Sequence, residues 1–489
     1  MILPFSRVSS GGVVKRFIPF DPDQPLLLPP DLRDALPAGH TALLLLDLVE
    51  ALDLSEVHAG IAEEQWGGKP GFDPRVMVRV WIYAYAVGLR SSRKVQQALI
   101  ENVAFRVVAH NQTPGYWALN RFRTQHREAL GNLLAQTVRM ALGLGLVRLG
   151  NVAIDGTKVR ANASKHKAMS YGRMDAAEAR LKAEVDAYLD TCDQQDDRDD
   201  EVFGPDDDGM SLPVGLRDRQ VRRNKIAAAK RELEQRARER RAREQEQRRE
   251  AAAVEGRAYE PRDKIEDATP KDSDQINFTD PESRIMQRDG AFVQAFNAQA
   301  AVDTSSHIVL AAGVSNVAPD AQHFAGLVNE TIATTGRVPE LFSADAGYHS
   351  IKNVAYASAV GSDALIPPDR IRRSEWHAQQ APTGEIPNDL SIPDLMRRRL
   401  ATPEGKRLYL QRQASVEPVF GATKGARGLR QFLHRGLHKN HHLFRFDMVV
   451  HNVLKILRQA QRQPTQPPST PSAPQPPQPA ATIITAAAA

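Results

Sequence analysis

The chain has 489 residues and a mass of 54.0 kDa, enough for about two to four domains of ordinary size. Hydrophobic residues make up 42% and charged residues 25%, the usual balance of a globular protein. The single cysteine, Cys192, excludes an intramolecular disulfide framework and a cysteine-based zinc cage. A net charge of +5 with a pI of about 9.2 is compatible with a nucleic-acid partner but does not establish one.

The N-terminal sequence argues against secretion and membrane insertion. Residues 1–20 lack the apolar core of a secretory signal. The most apolar run, Ala42 to Val49, contains Asp47 and is too short to span a bilayer. The sequence therefore predicts a soluble intracellular protein of the cytoplasm.

The first part of the chain divides into an extended segment, residues 1–40, and a helical region, residues 41–149. Asp73 followed by Pro74 is typical of a helix start. Ser92 is expected to cap the next helix after a short Gly/Ser turn. This pair resembles a helix-turn-helix, which either binds DNA or packs as an ordinary pair in an all-α domain.

A third helix is predicted over 117–144, where Arg121 and Arg123 lie beside an apolar stripe. Arginines on such a helix could contact phosphates, so the pattern of residues 41–149 leaves DNA binding and ordinary packing in an all-α domain equally open.

From residue 150 the pattern changes to that of an α/β domain, which we place at residues 150–458. Apolar runs predict strands at Asn151–Asp155, Ala291–Asp303, His307–Val314, Leu341–Asp345 and Ala364–Ile366. Asp320 is expected to cap a helix over 321–334. Strands that alternate with helices indicate a mixed α/β layer.

A connection of well over 100 residues follows the first strand, so an insertion is predicted at about residues 170–280. It contains a helical stretch at 176–189, an acidic run at 193–208 and an Arg/Glu-rich helix over 217–250. The Glu–Arg pairs of that helix favour a solvated helix, and a charged arm touching nucleic acid or a second subunit is the alternative. Residues 459–489, rich in proline, glutamine and alanine, are predicted to be a disordered tail.

Three acidic residues stand where chemistry is possible. Asp155 and Asp345 each end an apolar strand, and Glu417 directly precedes a basic region. Sites form at strand ends in open α/β sheets, and two such acids on neighbouring strands would lie within a few ångströms of each other, where their repulsion is costly unless a cation is bound. Oxygen ligands favour Mg²⁺ or Mn²⁺ over zinc. A strand-terminal aspartate is more often a cap or turn residue, which is our interpretation of Asp303.

The region after Glu417 is strongly basic, with nine lysines and arginines but one acid between Pro418 and Arg462. A carboxylate metal site beside such a surface suits phosphodiester chemistry. The histidines in this region are interpreted as part of the basic surface rather than as a metal cluster. They are His434, His438, His441 and His442.

Five stretches resemble the bacterial insertion-sequence transposases of the DDE class, in particular the insertion-sequence eleven-eighty-two type. The stretches are Ala153-Ile-Asp-Gly-Thr-Lys-Val-Arg-Ala-Asn-Ala-Ser164, Asp280-Pro-Glu-Ser-Arg-Ile-Met286, Asn297-Ala-Gln-Ala-Ala-Val-Asp303, Ala344-Asp-Ala-Gly-Tyr348 and Val416-Glu-Pro-Val-Phe-Gly421. The resemblance covers roughly residues 40–456. It implies an RNase H-like catalytic domain, an N-terminal domain that recognises terminal inverted repeats, and a triad of Asp155, Asp345 and Glu417 holding two divalent ions.

Related elements carry a Tyr-x2-Arg-x3-Glu-x6-Lys signature, which appears here as Tyr409, Arg412, Glu417 and Lys424 with one extra residue before the glutamate. The extra residue rotates a helix by about 100° and puts the role of Arg412 in question. Pro418 is expected to disturb the helix at Glu417. The candidate DNA-contacting residues are Tyr409, Arg412, Lys424, Arg427, Arg430, Arg435, Lys158, Arg121 and Arg123.

The resemblance implies metal-dependent cleavage at transposon ends followed by strand transfer into target DNA. It further implies a homodimer or higher oligomer on double-stranded DNA, in the bacterial cytoplasm and associated with the nucleoid. Two alternatives are an RNase H-like metal-dependent nuclease or resolvase without strand transfer and a non-catalytic DNA-binding protein.

Overall fold

The structure is a computed structural model that describes residues 31–60, 71–164, 167–184, 187, 214–254, 256–288, 290–370, 382 and 390–462. The acidic run at 193–208, Cys192, most of the predicted extended segment and residues 463–489 of the predicted tail lie outside the described residues. Among the helices that are described, none has the length and apolarity needed to cross a membrane.

The described residues between 31 and 150 form helices. These are α1 (Thr41–Glu50), α2 (Ser55–Ala59), α3 (Pro74–Ala86), α4 (Ser92–Glu101), α5 (Val103–Val108), α6 (Tyr116–Gln125) and α7 (Arg127–Gly143). The Asp73 carboxylate accepts a hydrogen bond from the Arg75 amide, which confirms the predicted start of α3. Ser92 is the first residue of α4 and Ser91 is its N-cap, without a side-chain cap bond, so the predicted cap was one residue late.

Two predicted helices are each divided. Asn102 ends α4, and its side chain accepts a hydrogen bond from the Ala104 amide and so caps α5. The helix predicted over 117–144 is interrupted at His126, whose buried ring packs 4.7 Å from that of Phe122. Apolar residues continue at helical spacing across both breaks, so periodicity alone could not reveal them.

The strands form a six-stranded sheet and a separate two-stranded one. The strands are β1 (Asn151–Arg160), β2 (Ala168–Ser170), β3 (Gln275–Asn277), β4 (Arg284–Arg288), β5 (Ala291–Asp303), β6 (Val309–Ser315), β7 (Leu341–Ala344) and β8 (Asp363–Leu365). The main sheet has the order β4-β5-β1-β7-β8, and β6 also pairs with β5. Strand β1 is antiparallel to β5 and parallel to β7, which is in turn parallel to β8. This mixed sheet confirms the predicted α/β class.

The remaining labelled helices are α8 (Val214–Val254), α9 (Phe324–Thr335), α10 (Ile351–Ala359), α11 (Ile392–Ala401), α12 (Pro403–Lys424) and α13 (Leu437–Arg462). Of these, α8 belongs to the insertion and the others follow β6 in the chain. Helix α13 packs on α7, α3 and β6, and a single hydrophobic core runs from the N-terminal helices into the sheet.

Three local predictions need correction. Pro418 lies inside an unbroken α12, where buried Val416 and Val419 on either side anchor the helix against the core. Asp320 begins a 3-10 turn and makes no cap bond, so α9 starts only at Phe324. Helix α13 continues to Arg462, past the predicted tail boundary at 459.

The insertion has a small core of its own. Ile226 and Leu233 on α8 are buried together with Met174, Leu181 and Ile276. The interpretation of this helix as simply solvated is therefore incomplete, because its few large apolar residues fix one side of it to the neighbouring segments. The antiparallel pairing of β2 with β3 brings the two ends of the insertion together.

Candidate active site

Two of the three predicted acids are brought side by side by the strand register. Ile154 of β1 pairs with Ala344 of β7 in the parallel direction, so Asp155 and Asp345 follow as neighbours at the ends of this pairing. The Asp155 carboxylate accepts a hydrogen bond of 2.8 Å from the Gly156 amide. The Asp345 carboxylate accepts one of 2.9 Å from the Gly347 amide in the 3-10 turn that follows β7.

The charge of Asp155 is only partly compensated. The pKa of its carboxyl is raised to about 6, chiefly by burial and also by the nearby charges of Asp345 and Asp320. Arg412 acts in the opposite direction, with Nη1 3.4 Å from Oδ2 of Asp155. The site therefore concentrates negative charge in a place largely removed from water, an arrangement that favours cation binding.

Arg412 lies inside this site rather than on the DNA-facing surface. Helix α12 packs across β1, and the Arg412 guanidinium stacks 5.0 Å from the centre of the Tyr409 ring. The side chain is buried, and its Nε and Nη1 atoms have no hydrogen-bond partner among the described residues. The extra residue before Glu417 thus leaves Arg412 at the site, where it balances charge on Asp155.

A fourth carboxylate, Asp320, was missed as a site residue by the sequence analysis. Its Oδ1 accepts hydrogen bonds from the side-chain amide of Asn297 at 2.7 Å and from that of Gln299 at 2.8 Å. It also accepts one from the Lys158 ammonium at 2.9 Å. The Tyr348 hydroxyl donates to the Gln299 side-chain oxygen. One signal was available: Asn297, Gln299 and Tyr348 belong to stretches already matched to the transposases.

Two glycines permit the close approach of these groups. A methyl group on Gly156 would lie 3.0 Å from Oδ1 of Asp320 and closer still to the Gln299 amide. A methyl group on Gly347 would lie 3.0 Å from Oδ1 of Asp345 and 3.3 Å from Oδ2 of Asp320. A side chain at either position would therefore push against the carboxylates and the Gln299 side chain.

Glu417 lies on α12, the helix that packs on β1, and no contact joins it to the aspartates among the described residues. Its side chain is exposed on α12 and makes no hydrogen bond or ion pair with any residue that the structure describes. Lys424 lies two helical turns later on the same side of the helix. The Lys424 ammonium donates a hydrogen bond to the hydroxyl of Thr157, two residues beyond Asp155 on β1.

Two predicted DNA-contacting arginines are buried, which corrects their assignment. Arg123 is 3% exposed, and it donates to the Arg90 carbonyl and stacks 4.2 Å from the Trp81 ring. Arg427 is also 3% exposed, and it donates to the hydroxyl of Thr423. Both guanidiniums stabilise the interior, so neither is available to a phosphate.

The other predicted DNA contacts remain accessible or partly so. Arg430 and Arg435 are exposed. Arg121 is also exposed and stacks 5.2 Å from the exposed ring of Trp117. Lys158 is half-buried and pairs with Asp320, so its role lies at the carboxylate site.

The two ends of the described chain match known families. A model of a transposase DDE domain matches residues 388–457, which contain α11, α12 and most of α13. A model of a transposase domain (DUF772) matches residues 30–125, which contain α1 to α6. No curated protein and no solved structure matches the chain.

A helical transposase domain at one end and a DDE domain at the other define an enzyme that cleaves DNA and transfers its strands. Together these two matches support the function of a DNA transposase with a DDE domain, of the kind encoded by insertion sequences. The resemblance at this level is confirmed, and the nuclease and binding-protein alternatives are not favoured. Its assignment to the eleven-eighty-two type stays a prediction.

Proposed function

We propose that Asp155, Asp345 and Glu417 are the catalytic triad of this transposase, on an RNase H-like sheet. The observation that carries the proposal is the parallel register of β1 and β7, which sets the two aspartates side by side. Helix α12, which carries Glu417, packs on β1, and this packing supports the inclusion of Glu417 in the triad. The match to a DDE domain over residues 388–457 includes Glu417, which supports Glu417 as the third residue of the triad.

The donor set fits hard divalent cations, and we propose two Mg²⁺ or Mn²⁺ ions held by the three carboxylates. Oxygen ligands of this kind are those that Mg²⁺ prefers. Burial and the neighbouring carboxylates raise the pKa of Asp155, and a bound cation would offset both effects. When bound, such ions polarise the attacking oxygen and stabilise the leaving oxygen at phosphorus.

Asp320 acts in this proposal as a positioning residue. Its bonds to Asn297, Gln299 and Lys158 hold it against Gly347, directly behind Asp345. It therefore fixes the turn that carries Asp345 and adds negative charge to the site. Arg412 keeps Asp155 in place through the ion pair at 3.4 Å.

We propose that DNA lies across the exposed basic residues near α12, with Lys424, Arg430 and Arg435 on phosphates. Arg121 and the exposed ring of Trp117 supply a charged and an aromatic contact for end recognition by the N-terminal helices. The substrates are the terminal inverted repeats and target DNA, and we expect a homodimer or higher oligomer to assemble on them in the bacterial nucleoid.

The proposal is tested with purified full-length protein and DNA that carries the element's own ends, in the presence of Mg²⁺. Asp345→Asn and Glu417→Gln preserve shape but remove a ligand charge, so we expect end binding to persist while cleavage and joining fall at least 100-fold. The matched control is Glu404→Gln, an exposed glutamate on the same helix that pairs with Arg407. Near-normal cleavage by either site variant would falsify the triad.

A further inference from the structure

A second group of metal-ligating side chains lies away from the carboxylate site, where α7 meets α13. Glu128 stands in the first turn of α7, and His438 and His442 lie one turn apart on α13. One ligand atom from each of the three lies within 4.8 Å of the others. The two imidazole rings are 4.7 Å apart and nearly perpendicular, at 67°.

The spacing suits a tetrahedral metal ion. Histidines four residues apart present both rings on one face of a helix. A tetrahedral zinc ion with ligand bonds of 2.0–2.1 Å holds neighbouring ligand atoms about 3.3–3.4 Å apart. The Nε2 atom of His438 lies 3.3 Å from Oε1 of Glu128, which meets this requirement. Three protein ligands leave a fourth position for water.

Packing holds the second imidazole in place. A methyl group on Gly131 of α7 would lie 3.0 Å from the His442 carbonyl oxygen and 3.2 Å from its Nδ1, so the two helices approach closely here. Nδ1 of His442 is buried and has no hydrogen-bond partner within the described ranges. The adjacent His441 points elsewhere, because its Nδ1 accepts a hydrogen bond from the Val314 amide on β6.

We propose that Glu128, His438 and His442 form a binding site for a transition-metal ion of the zinc class, which ties α7 to α13. Imidazole ligands select Zn²⁺, Ni²⁺ or Cu²⁺ over Mg²⁺, so this site differs in chemistry from the all-carboxylate site. Its ligands come from residues more than 300 positions apart in the chain, and they meet only in the folded protein. Binding therefore stabilises the contact between the N-terminal helices and the C-terminal helix.

The test uses full-length protein without an affinity tag, titrated with Zn²⁺ in excess Mg²⁺ so that the carboxylate site is occupied. We expect one Zn²⁺ per chain and a rise in Tm on binding. His438→Ala and Glu128→Gln should lower the Zn²⁺ affinity at least tenfold and reduce that rise. Asp345→Asn, and His58→Ala at an exposed histidine on α2, should leave the affinity at the wild-type value.

Co²⁺ provides a second readout, since a tetrahedral nitrogen site gives it a strong visible absorption that the His438→Ala variant should lack. Both substituted ligands are exposed, so the metal-free Tm of each variant should match that of the wild type. If His438→Ala changes the metal-free Tm, the Zn²⁺ affinity of Glu128→Gln tests the proposal instead. Equal Zn²⁺ affinity in wild type and Glu128→Gln, or an equal loss of affinity in His58→Ala, overturns the proposal.

Discussion

At the scale of single residues, Asp155, within β1 rather than at its predicted end, and Asp345, directly after β7, place negative charge in a half-buried site. Asp155 keeps one cationic partner, Arg412, at 3.4 Å, while Asp345 and Asp320 add to its negative surroundings. A group in this position binds a proton or a metal ion more readily than an exposed aspartate does. The consequence can be measured without any metal.

We expect the stability of the metal-free protein to depend on the ionisation of Asp155. Its pKa is about 6 in the folded protein and near 3.9 when unfolded, so the folded state binds more protons between these values. The free energy of unfolding therefore falls as pH rises from about 4 to about 6, by up to about 3 kcal/mol, and the loss persists above pH 6.

Urea unfolding in EDTA at pH 5 and pH 7 checks this expectation. Asp155→Asn removes the titrating group, so its stability difference between the two pH values should be smaller than that of the wild type by about 1 kcal/mol. Identical pH dependence in the two proteins would show that Asp155 is ionised at both pH values.

Lys424 separates DNA positioning from chemistry. Its ammonium bonds Thr157 beside the carboxylates, close enough to hold a phosphate at the site. A lysine that acts as a point charge contributes affinity that falls with salt. We expect Lys424→Ala to weaken DNA binding or strand transfer and to lower the salt dependence of binding by roughly one counterion.

A salt titration of binding beside a cleavage assay provides the measurement for Lys424→Ala. Glu417→Gln serves as the contrasting variant, because it should abolish cleavage and spare binding. If Lys424→Ala keeps the wild-type DNA affinity, salt slope and strand-transfer yield, then Lys424 does not contact DNA and serves only as a hydrogen-bond partner of Thr157.

At the scale of elements, one buried ion pair fastens the turn between α3 and α4 to α13. The Arg90 guanidinium bonds both carboxylate oxygens of Asp447, and its Nε donates to the Arg427 carbonyl at 2.7 Å. Both side chains are largely buried. Asp447 is the single acid of the basic stretch that follows Glu417, and this contact accounts for its presence there.

Removal of Asp447 should be costly, because it leaves the Arg90 charge buried without its partner. We expect Asp447→Ala to lower the free energy of unfolding by about 3–5 kcal/mol, measured by urea unfolding. Arg407→Ala, which removes the exposed pair with Glu404 on α12, is the matched control and should cost under about 1 kcal/mol. A loss in Asp447→Ala as small as that in the control would mean that water solvates Arg90 in the variant.

At the scale of the whole molecule, the N-terminal helices and the sheet share one core. Helix α13, from the far end of the chain, packs on α1, α3 and α7. The rings of Tyr85 on α3 and Phe446 on α13 meet edge to face at 5.1 Å. A fragment that lacks α13 would expose this apolar surface to water.

We therefore expect a fragment of residues 1–149 to unfold without cooperativity and to bind a hydrophobic dye, as measured by circular dichroism and dye fluorescence. The control is the full chain without residues 464–489, whose composition predicts no core, and its Tm should match the wild type. Cooperative unfolding of the fragment at the Tm of the full protein would contradict a shared core.

The amino-acid sequence by itself determined features that depend on near neighbours. The bounds of β5 and the start of α3 at Asp73 follow from an apolar run and from capping chemistry. The interpretation of Asp303 was also correct, because its carboxylate accepts hydrogen bonds within its own turn. Such features are local, so a stretch of a few residues is enough to specify them.

Only the tertiary structure decided which charged residues face inward and which distant groups meet. The sequence marks Arg123 and Arg121 alike, yet one is buried against Trp81 and the other is exposed. Asp320 joins the carboxylates, and Glu128 meets His438, because packed helices and strands bring distant segments into contact. Burial of a charged residue costs desolvation free energy, which partner groups must offset. Those partners come from distant parts of the chain, so the role of a charged residue depends on the whole fold rather than on its neighbours in sequence.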